Sequence, residues 1–394
     1  MSFTKDAQRL ISQNIRDYGM YIAFFVIILV FTFTTKGLFL SSRNIGNLVN
    51  ATSYIALLSV GMTLVIVIRH IDLSVGFLSG FLGAVAAISM KFWHIPSFGT
   101  IPLVLAFGTL AGLVTGFLVA QLKIPAFVAT LAGWLGYRGA LQLATAGTGT
   151  IIISDEAFNA IGNGFIPDIP DLGFLTGIHK VTLLLGLAAI IVFILGEIRE
   201  RRRTQSYNFE VLSTGMFILK LVFMSIVIGG ITWILAGYQG LSWAAVVLLV
   251  VVSFYSFVMM RTVVGRHIYA VGGNPEAAAL SGISVKNITF LVFGSMGMLS
   301  ALSGIVYASW LRSATTTAGN LFELDAIAAT FVGGVAVAGG VGRVTGSIIG
   351  ALVMASLTNG MNLMGIDISL QYIVRAMVLA AAVIFDVSTR SSGK

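Results

Sequence analysis

The chain is 394 residues long, 57% hydrophobic and only 10% charged, with no cysteine and a formal net charge of +8. Soluble domains carry about 25% charge, so this composition excludes one. The missing thiols exclude disulfides, thiolate metal sites and a cysteine nucleophile. The basic excess is what lysine and arginine on the cytoplasmic face of a membrane protein produce, and no basic cluster argues for a nucleic-acid partner.

At roughly 20 residues per span, the length allows about ten to twelve crossings. Apolar runs fall at about 18–35, 47–68, 74–92, 101–122, 125–146, 180–197, 216–236, 241–260, 287–309, 326–342, 345–363 and 369–387. The predicted fold class is therefore an all-α integral membrane protein. It is a polytopic helical bundle of about 10–12 transmembrane helices, some of them broken, in one membrane domain over residues 1–394. Several runs are dense in Gly and Ala, which lets helices approach closely.

Lys5, Arg9 and Arg16 precede the first run, which is long for a signal core and lacks an A-x-A site. It reads as a retained anchor whose leading residues, 1–17, are cytoplasmic. With that orientation, sixteen Lys and Arg residues fall in inner loops, five fall outside and two, Arg138 and Arg375, fall within spans. This bias predicts that both termini are cytoplasmic.

Asp72, in HIDLSVG (70–76), precedes the small-residue run from about 74, and Arg69 lies three residues before it. Glu323 and Asp325, in FELDAIAATFVGG (322–334), stand in the same relation to a later run. Carboxylates at membrane depth mark pathways or gates in some transporters. Capping of the following helix, or pairing with a neighbouring arginine, is the weightier reading of both. Asn359 and Asn362 bring amides into the penultimate run and Gln371 brings one into the last. They either hold helices together or line a polar path. Snorkelling or interhelical pairing accounts for Arg138 and Arg375. His70, His94, His179 and His267 show no metal-ligand spacing.

The loops follow from the runs. Residues 147–179 form the main outer loop, with Asp155, Glu156, Asp168 and Asp171 and no Lys or Arg. These acids are either plain solvated charge or a complement to basic groups on a partner. Residues 198–215 (IRERRRTQSYNFEVLSTG) read as a charged cytoplasmic linker. The Gly-rich run GGVGRVTG (339–346) lacks the spacing of a dinucleotide site and fits close helix packing or a tight inner turn.

The inner loop 261–286 is the most specific feature. Within it, VGGNPEAAALSGIS (271–284) predicts a helix over about 275–281. Asn274 is its N-cap, Pro275 its first position and Glu276 its dipole partner, while Gly282 closes it. Helices this short need support, since about 12–15 residues are required for stability alone. Ala277, Leu280 and Ile283 lie near one face and form a small apolar ridge. Such a ridge either packs on the protein's own inner surface or docks in a groove of a cytoplasmic partner.

GRHIYAVGGNPEAAALSGISV (265–285) resembles the coupling segment of permease subunits in bacterial ABC sugar importers of the ribose/xylose/galactose type. HIDLSVG (70–76), KIPAFVATLAG (123–133), FELDAIAATFVGG (322–334) and the stretch 339–366 resemble segments of that family in the same order. Residues of about 180–236 look like the additional pair of spans in its xylose and multiple-monosaccharide members. The resemblance implies a permease half in the bacterial inner membrane, working as a homodimer. A cytoplasmic ATPase would dock on Gly272, Gly273, Asn274, Pro275, Glu276, Ala277, Ala278, Leu280, Ser281, Gly282 and Ile283. A periplasmic sugar-binding protein would deliver a monosaccharide from outside, with residues 147–179 as periplasmic loop and 261–286 as coupling loop. Asp72, Asp325, Glu323, Asn359 and Asn362 are the candidate path or gating residues.

The chain has no G-x-x-x-x-G-K-[ST] sequence, so ATP-Mg is expected in the partner and no cofactor or metal in this chain. HExxH and GxSxG are likewise absent, which argues against a membrane enzyme. The alternatives are an ion-coupled secondary transporter working alone, or an ABC permease for a non-sugar solute.

Overall fold

The computed structural model describes residues 20–170, 173, 175–207, 209 and 211–391. The expected cytoplasmic segment 1–17 and Asp171 lie outside them. The twelve apolar runs appear in order as helices. These are α1 (Met20–Thr34), α2 (Ser42–Val67), α3 (Val75–Lys91), α4 (Ser97–Ala120), α5 (Ala126–Thr145), α7 (Lys180–Ser206) and α8 (Thr214–Ala236). The series continues with α9 (Trp243–Arg261), α12 (Val285–Leu311), α13 (Phe322–Val332), α14 (Val344–Leu363) and α15 (Ile368–Ser391). Among the described residues, three short α-helices lie outside the runs: α6 (Glu156–Asn163), α10 (Val263–Gly273) and α11 (Pro275–Leu280). The strands β1 (Thr150–Ile152) and β2 (Ser313–Thr315) pair antiparallel, Ile151 opposite Ala314.

Among the described residues, eight helices are long and apolar enough to cross a membrane: α2, α4, α7, α8, α9, α12, α14 and α15. α1 and α3 are apolar but shorter. The run at 326–342 is the broken one: it stays helical only to Val332. Eleven residues make about 16 Å of helix at 1.5 Å each, half of a roughly 30 Å hydrocarbon core. The chain then turns through Gly334, Gly339 and Gly340, all with left-handed φ, so both readings of the Gly-rich run meet in one turn. The expected linker at 198–215 is helical to Ser206, as α7 runs on through its good helix formers. Glu200 lies 3.7 Å from Arg261 of α9, and Glu197 accepts from Lys220 of α8 at 2.7 Å.

α2 and α12 form the centre. Leu57, Leu58, Met62 and Leu64 of α2 and Phe293 and Met296 of α12 are fully buried. α12 packs most extensively on α4 because glycines meet there. A Cβ on Gly297 would lie 2.6 Å from Gly112 N and nearer still to Gly108 O, so only glycine allows this approach. α7 and α8 pack on each other and keep Leu184, Val192 and Ile226 exposed, as lipid-facing helices do.

The bundle has two distinct ends. Val67 at the end of α2, the loop 68–74, α10, α11 and the turn 333–343 gather at one end. At the other, Ser309 near the end of α12 bonds to Gly162 N and Phe158 O of α6 at 2.7 Å each, beside the β1–β2 pair.

Candidate functional site

The first candidate is the short helix α11. Asn274 Oδ1 accepts from Glu276 N and Ala277 N, both at 3.0 Å, and Pro275 takes the first position. Gly282 follows at φ 82, the left-handed conformation that glycine adopts at least cost. Ala278 is 4% exposed and faces the body of the protein, whereas Leu280 is 91% exposed. The expected ridge is therefore split. Ala277 and Leu280 are free, but Ile283 packs against the core cluster with Val285 and Val292. Ile283 is an anchor because its backbone N–H bonds Ala278 O at 3.0 Å, which turns the chain back under the helix.

What lies beneath α11 is a tight three-way junction. Arg69 Nε donates to Gly272 O at 2.6 Å, and its Nη2 donates to Gly273 O. Gly340 N donates to Val67 O at 2.8 Å. A Cβ on Gly272 would collide with Val67 O and lie 2.8 Å from Gly340 N. Tyr269 of α10 donates to Gly342 O at 2.6 Å; burial pushes its phenol above the ordinary value, so it stays a donor. Arg69 sits at φ 67, a conformation that a long side chain keeps only where partners hold it. The expected pairing of Arg69 with Asp72 is corrected here, because Arg69 serves the two glycine carbonyls instead. Asp72 is 3% exposed and accepts from Ser74 N at 2.9 Å and Ser74 Oγ at 2.6 Å. It closes the turn that leads into α3 but does not cap the helix, since its bonds go to Ser74, the N-cap residue itself, so the capping reading is corrected as well.

The second candidate is a cavity of about 500 Å³ in the half of the bundle away from α11. It lies between the first half of α2 (Asn47, Tyr54), the end of α12 (Trp310), the first turn of α13 (Asp325), the second half of α14 (Asn359, Asn362) and α15 (Arg375). Asp325 and Arg375 form an ion pair. Asn359 exchanges both amide bonds with Asn44, at 2.9 and 3.1 Å, and Asn362 accepts from Gln371 at 2.7 Å. Tyr54, Tyr307 and Phe322 meet edge-to-face or tilted with centroids 4.9 Å apart, and Trp310 stands 6.2 Å from both tyrosines.

Three of the five path candidates thus meet in one place: Asp325, Asn359 and Asn362. Glu323 and Asp72 do not line the cavity. Glu323 is 4% exposed and accepts from Trp134 Nε1 of α5 at 3.0 Å. Its separation from Asp325 follows from helix geometry: residues two apart point to different sides. Asn47, Tyr54 and Trp310 were not singled out from sequence. They sit on apolar helices, where an aromatic or a lone amide gives no signal until its neighbours are known. Among the described residues no cluster of three or more His, Asp or Glu side chains could hold a metal ion.

Comparison with known proteins places these features in context. Residues 44–383 match the family model of the branched-chain amino acid transport system / permease component. The chain is 39% identical to the xylose transport system permease protein of Haemophilus influenzae over 97% of its own length and 99% of the relative's. It is 39% identical to that of Escherichia coli K12, over 96% of this chain and 93% of the relative's. The ribose import permease protein of Haemophilus influenzae is 35% identical, over 93% and 91% respectively. No solved structure matches.

Proposed function

The chain belongs to the family of transport-system permease components, on the side of its xylose and ribose sugar permeases, and on that premise we propose that it is the membrane subunit of an ATP-driven importer for a monosaccharide such as xylose. In this reading all of residues 1–394 form one multi-pass permease domain in the inner membrane, with both termini and α11 cytoplasmic. A separate ATPase holds ATP-Mg and seats Leu280 in a groove. A periplasmic binding protein delivers sugar to the opposite end, near the loop 147–179. Two copies of the chain make the path.

The observation that carries the reading is Leu280: an almost wholly exposed leucine on a six-residue helix that is capped at both ends and clamped to α2. An apolar side chain held out on a rigid support outside the spans is suited to fill a partner's pocket. The clamp gives the docking a consequence. A push on α11 passes through Gly272 and Gly273 to Val67, at the C-terminal end of α2, and to Arg69 in the loop just beyond it. The first half of α2 lines the cavity, so one stiff helix joins the partner's stroke to the path.

The cavity also favours a sugar over an amino acid. Its lining holds one acid and one base, which neutralise each other. The remaining polar groups are amides and hydroxyls, suited to a neutral polyol. A neutral ligand leaves the charge balance of that pair undisturbed.

The test uses the whole complex, chain plus ATPase plus binding protein. Replacing Leu280→Arg together with Gly282→Pro is expected to reduce xylose uptake to background and to abolish co-purification of the ATPase, with the chain still in the membrane. Unchanged uptake by that variant would overturn the docking assignment.

A further inference from the structure

We propose that the Asp325–Arg375 pair is a sugar-reading site of the permease itself: the pair binds two adjacent hydroxyls of one neutral monosaccharide, while Trp310 and Tyr54 cover an apolar face of its ring. The inference deepens the sugar-permease reading and rests on it.

Four observations support it. First, among the described residues Asp325 and Arg375 are the only Asp, Glu, Lys, Arg or His side chains in the cavity wall. They come from different helices, α13 and α15, so the pair spans one side of the cavity. Second, the pair is not saturated. Arg375 Nε is buried with no acceptor among the described residues; a guanidinium has five N–H donors and a buried donor left unmade is costly. A ligand hydroxyl can accept from it. Third, a carboxylate has about four lone-pair sites, so Asp325 can accept from a diol while holding Arg375. Fourth, Tyr54 and Trp310 lie in the same wall, 6.2 Å apart and inclined by 33°. Such rings offer large apolar surface with a polar tip, matching a ring with C–H bonds on one face and hydroxyls at its edge. The volume, about 500 Å³, lies within the 300–1,000 Å³ range of small-molecule sites.

The purified full-length chain tests this without its partners, because Trp310 reports on the cavity. Titration with D-xylose is expected to change tryptophan fluorescence saturably, with half-saturation in the millimolar range, and Trp310→Phe is expected to remove the change. The double variant Asp325→Asn/Arg375→Gln leaves no unpaired charge and is expected to raise the half-saturation concentration about ten-fold or more. A second arm needs no variant: xylose analogues lacking one hydroxyl of an adjacent pair are expected to bind about ten-fold or more weakly to the wild-type chain. L-Leucine is expected to give no change. The proposal is overturned if xylose gives no signal, if Trp310→Phe keeps it, if a monodisperse double variant binds as wild type does, or if the deoxy analogues bind equally. Xylose uptake by the intact complex separates the two readings. Uptake without binding removes this site and leaves the permease function standing, whereas binding without uptake does the reverse.

Discussion

Arg69 concentrates the coupling argument at the scale of single residues. Its guanidinium bonds the two carbonyls at the end of α10, and hydrogen bonds to a charged donor contribute about 1.5–3 kcal/mol each. Arg69→Ala is expected to leave the ATPase bound but to lower xylose uptake by an order of magnitude or more, because the stroke no longer reaches α2. Nucleotide hydrolysis measured beside uptake checks this: loss of both in parallel would mean that Arg69 only holds the fold. Asp168 gives a prediction in pH. It accepts from Val181 N at 2.9 Å and Lys180 N at 3.1 Å, beside His179. Burial by itself would raise its carboxyl, but these backbone donors, at the start of α7, outweigh it and hold the group below the ordinary aspartate value. A carboxyl depressed in the folded state stabilises it above the unfolded pKa, and that contribution is lost as pH falls through the folded pKa. Protease resistance of the loop 147–179 is therefore expected to be constant from neutral pH down to about pH 5 and to weaken below about pH 4, and Asp168→Asn is expected to flatten that dependence.

At the scale of elements, the α4–α12 crossing depends on what is missing from its contact face. Gly108, Gly112 and Gly297 bring the backbones together, and no rotamer of a larger side chain fits. Gly297→Leu is expected to lower the melting temperature of the purified chain and its yield in the membrane, since overpacking typically costs about 1–3 kcal/mol. Gly230→Ala, in α8 where a Cβ meets nothing within 4 Å, is the matched control and is expected to leave both unchanged. The hairpin α7–α8 shows the opposite economy. Its outward side chains need only lipid, and at its charged end the Glu200–Arg261 ion pair ties it to α9. The half-length α13 has a clear local reason: Gly333 and Gly334 end it, and Gly333 also lies against Gly346 of α14, where a Cβ would strike backbone.

At the scale of the whole molecule, the two candidate sites lie at opposite ends of α2. Leu280 and Ala277 leave an apolar surface exposed on α11, and the proposed coupling requires a partner that acts on it. Vesicles containing only the purified chain are expected to show no accumulation of xylose against a gradient, whatever the imposed proton or sodium gradient. Adding the ATPase, the binding protein and ATP is expected to start accumulation. Accumulation by the chain alone would establish the ion-coupled alternative.

The sequence by itself determined the class, the succession of helices and the short helix α11. Each rests on short-range physics: a run of apolar residues must be satisfied by a helix in lipid, and Asn274, Pro275 and Gly282 act on neighbours one to four positions away. Asn359 and Asn362 were legible as polar exceptions in an apolar run, and Asp325 as an acid at the entrance to one, because a polar group in a membrane needs a reason. Which exceptions belong together was decided only by the tertiary structure. Glu323 and Asp325 look equivalent in the chain, yet one is fastened to Trp134 and the other faces Arg375. Arg69 looks like a partner for Asp72 and instead grips carbonyls some two hundred residues further on. Such pairings depend on how close two backbones come, and the glycines that set this at Gly272 and Gly340 show their purpose only when the opposing carbonyl is in view.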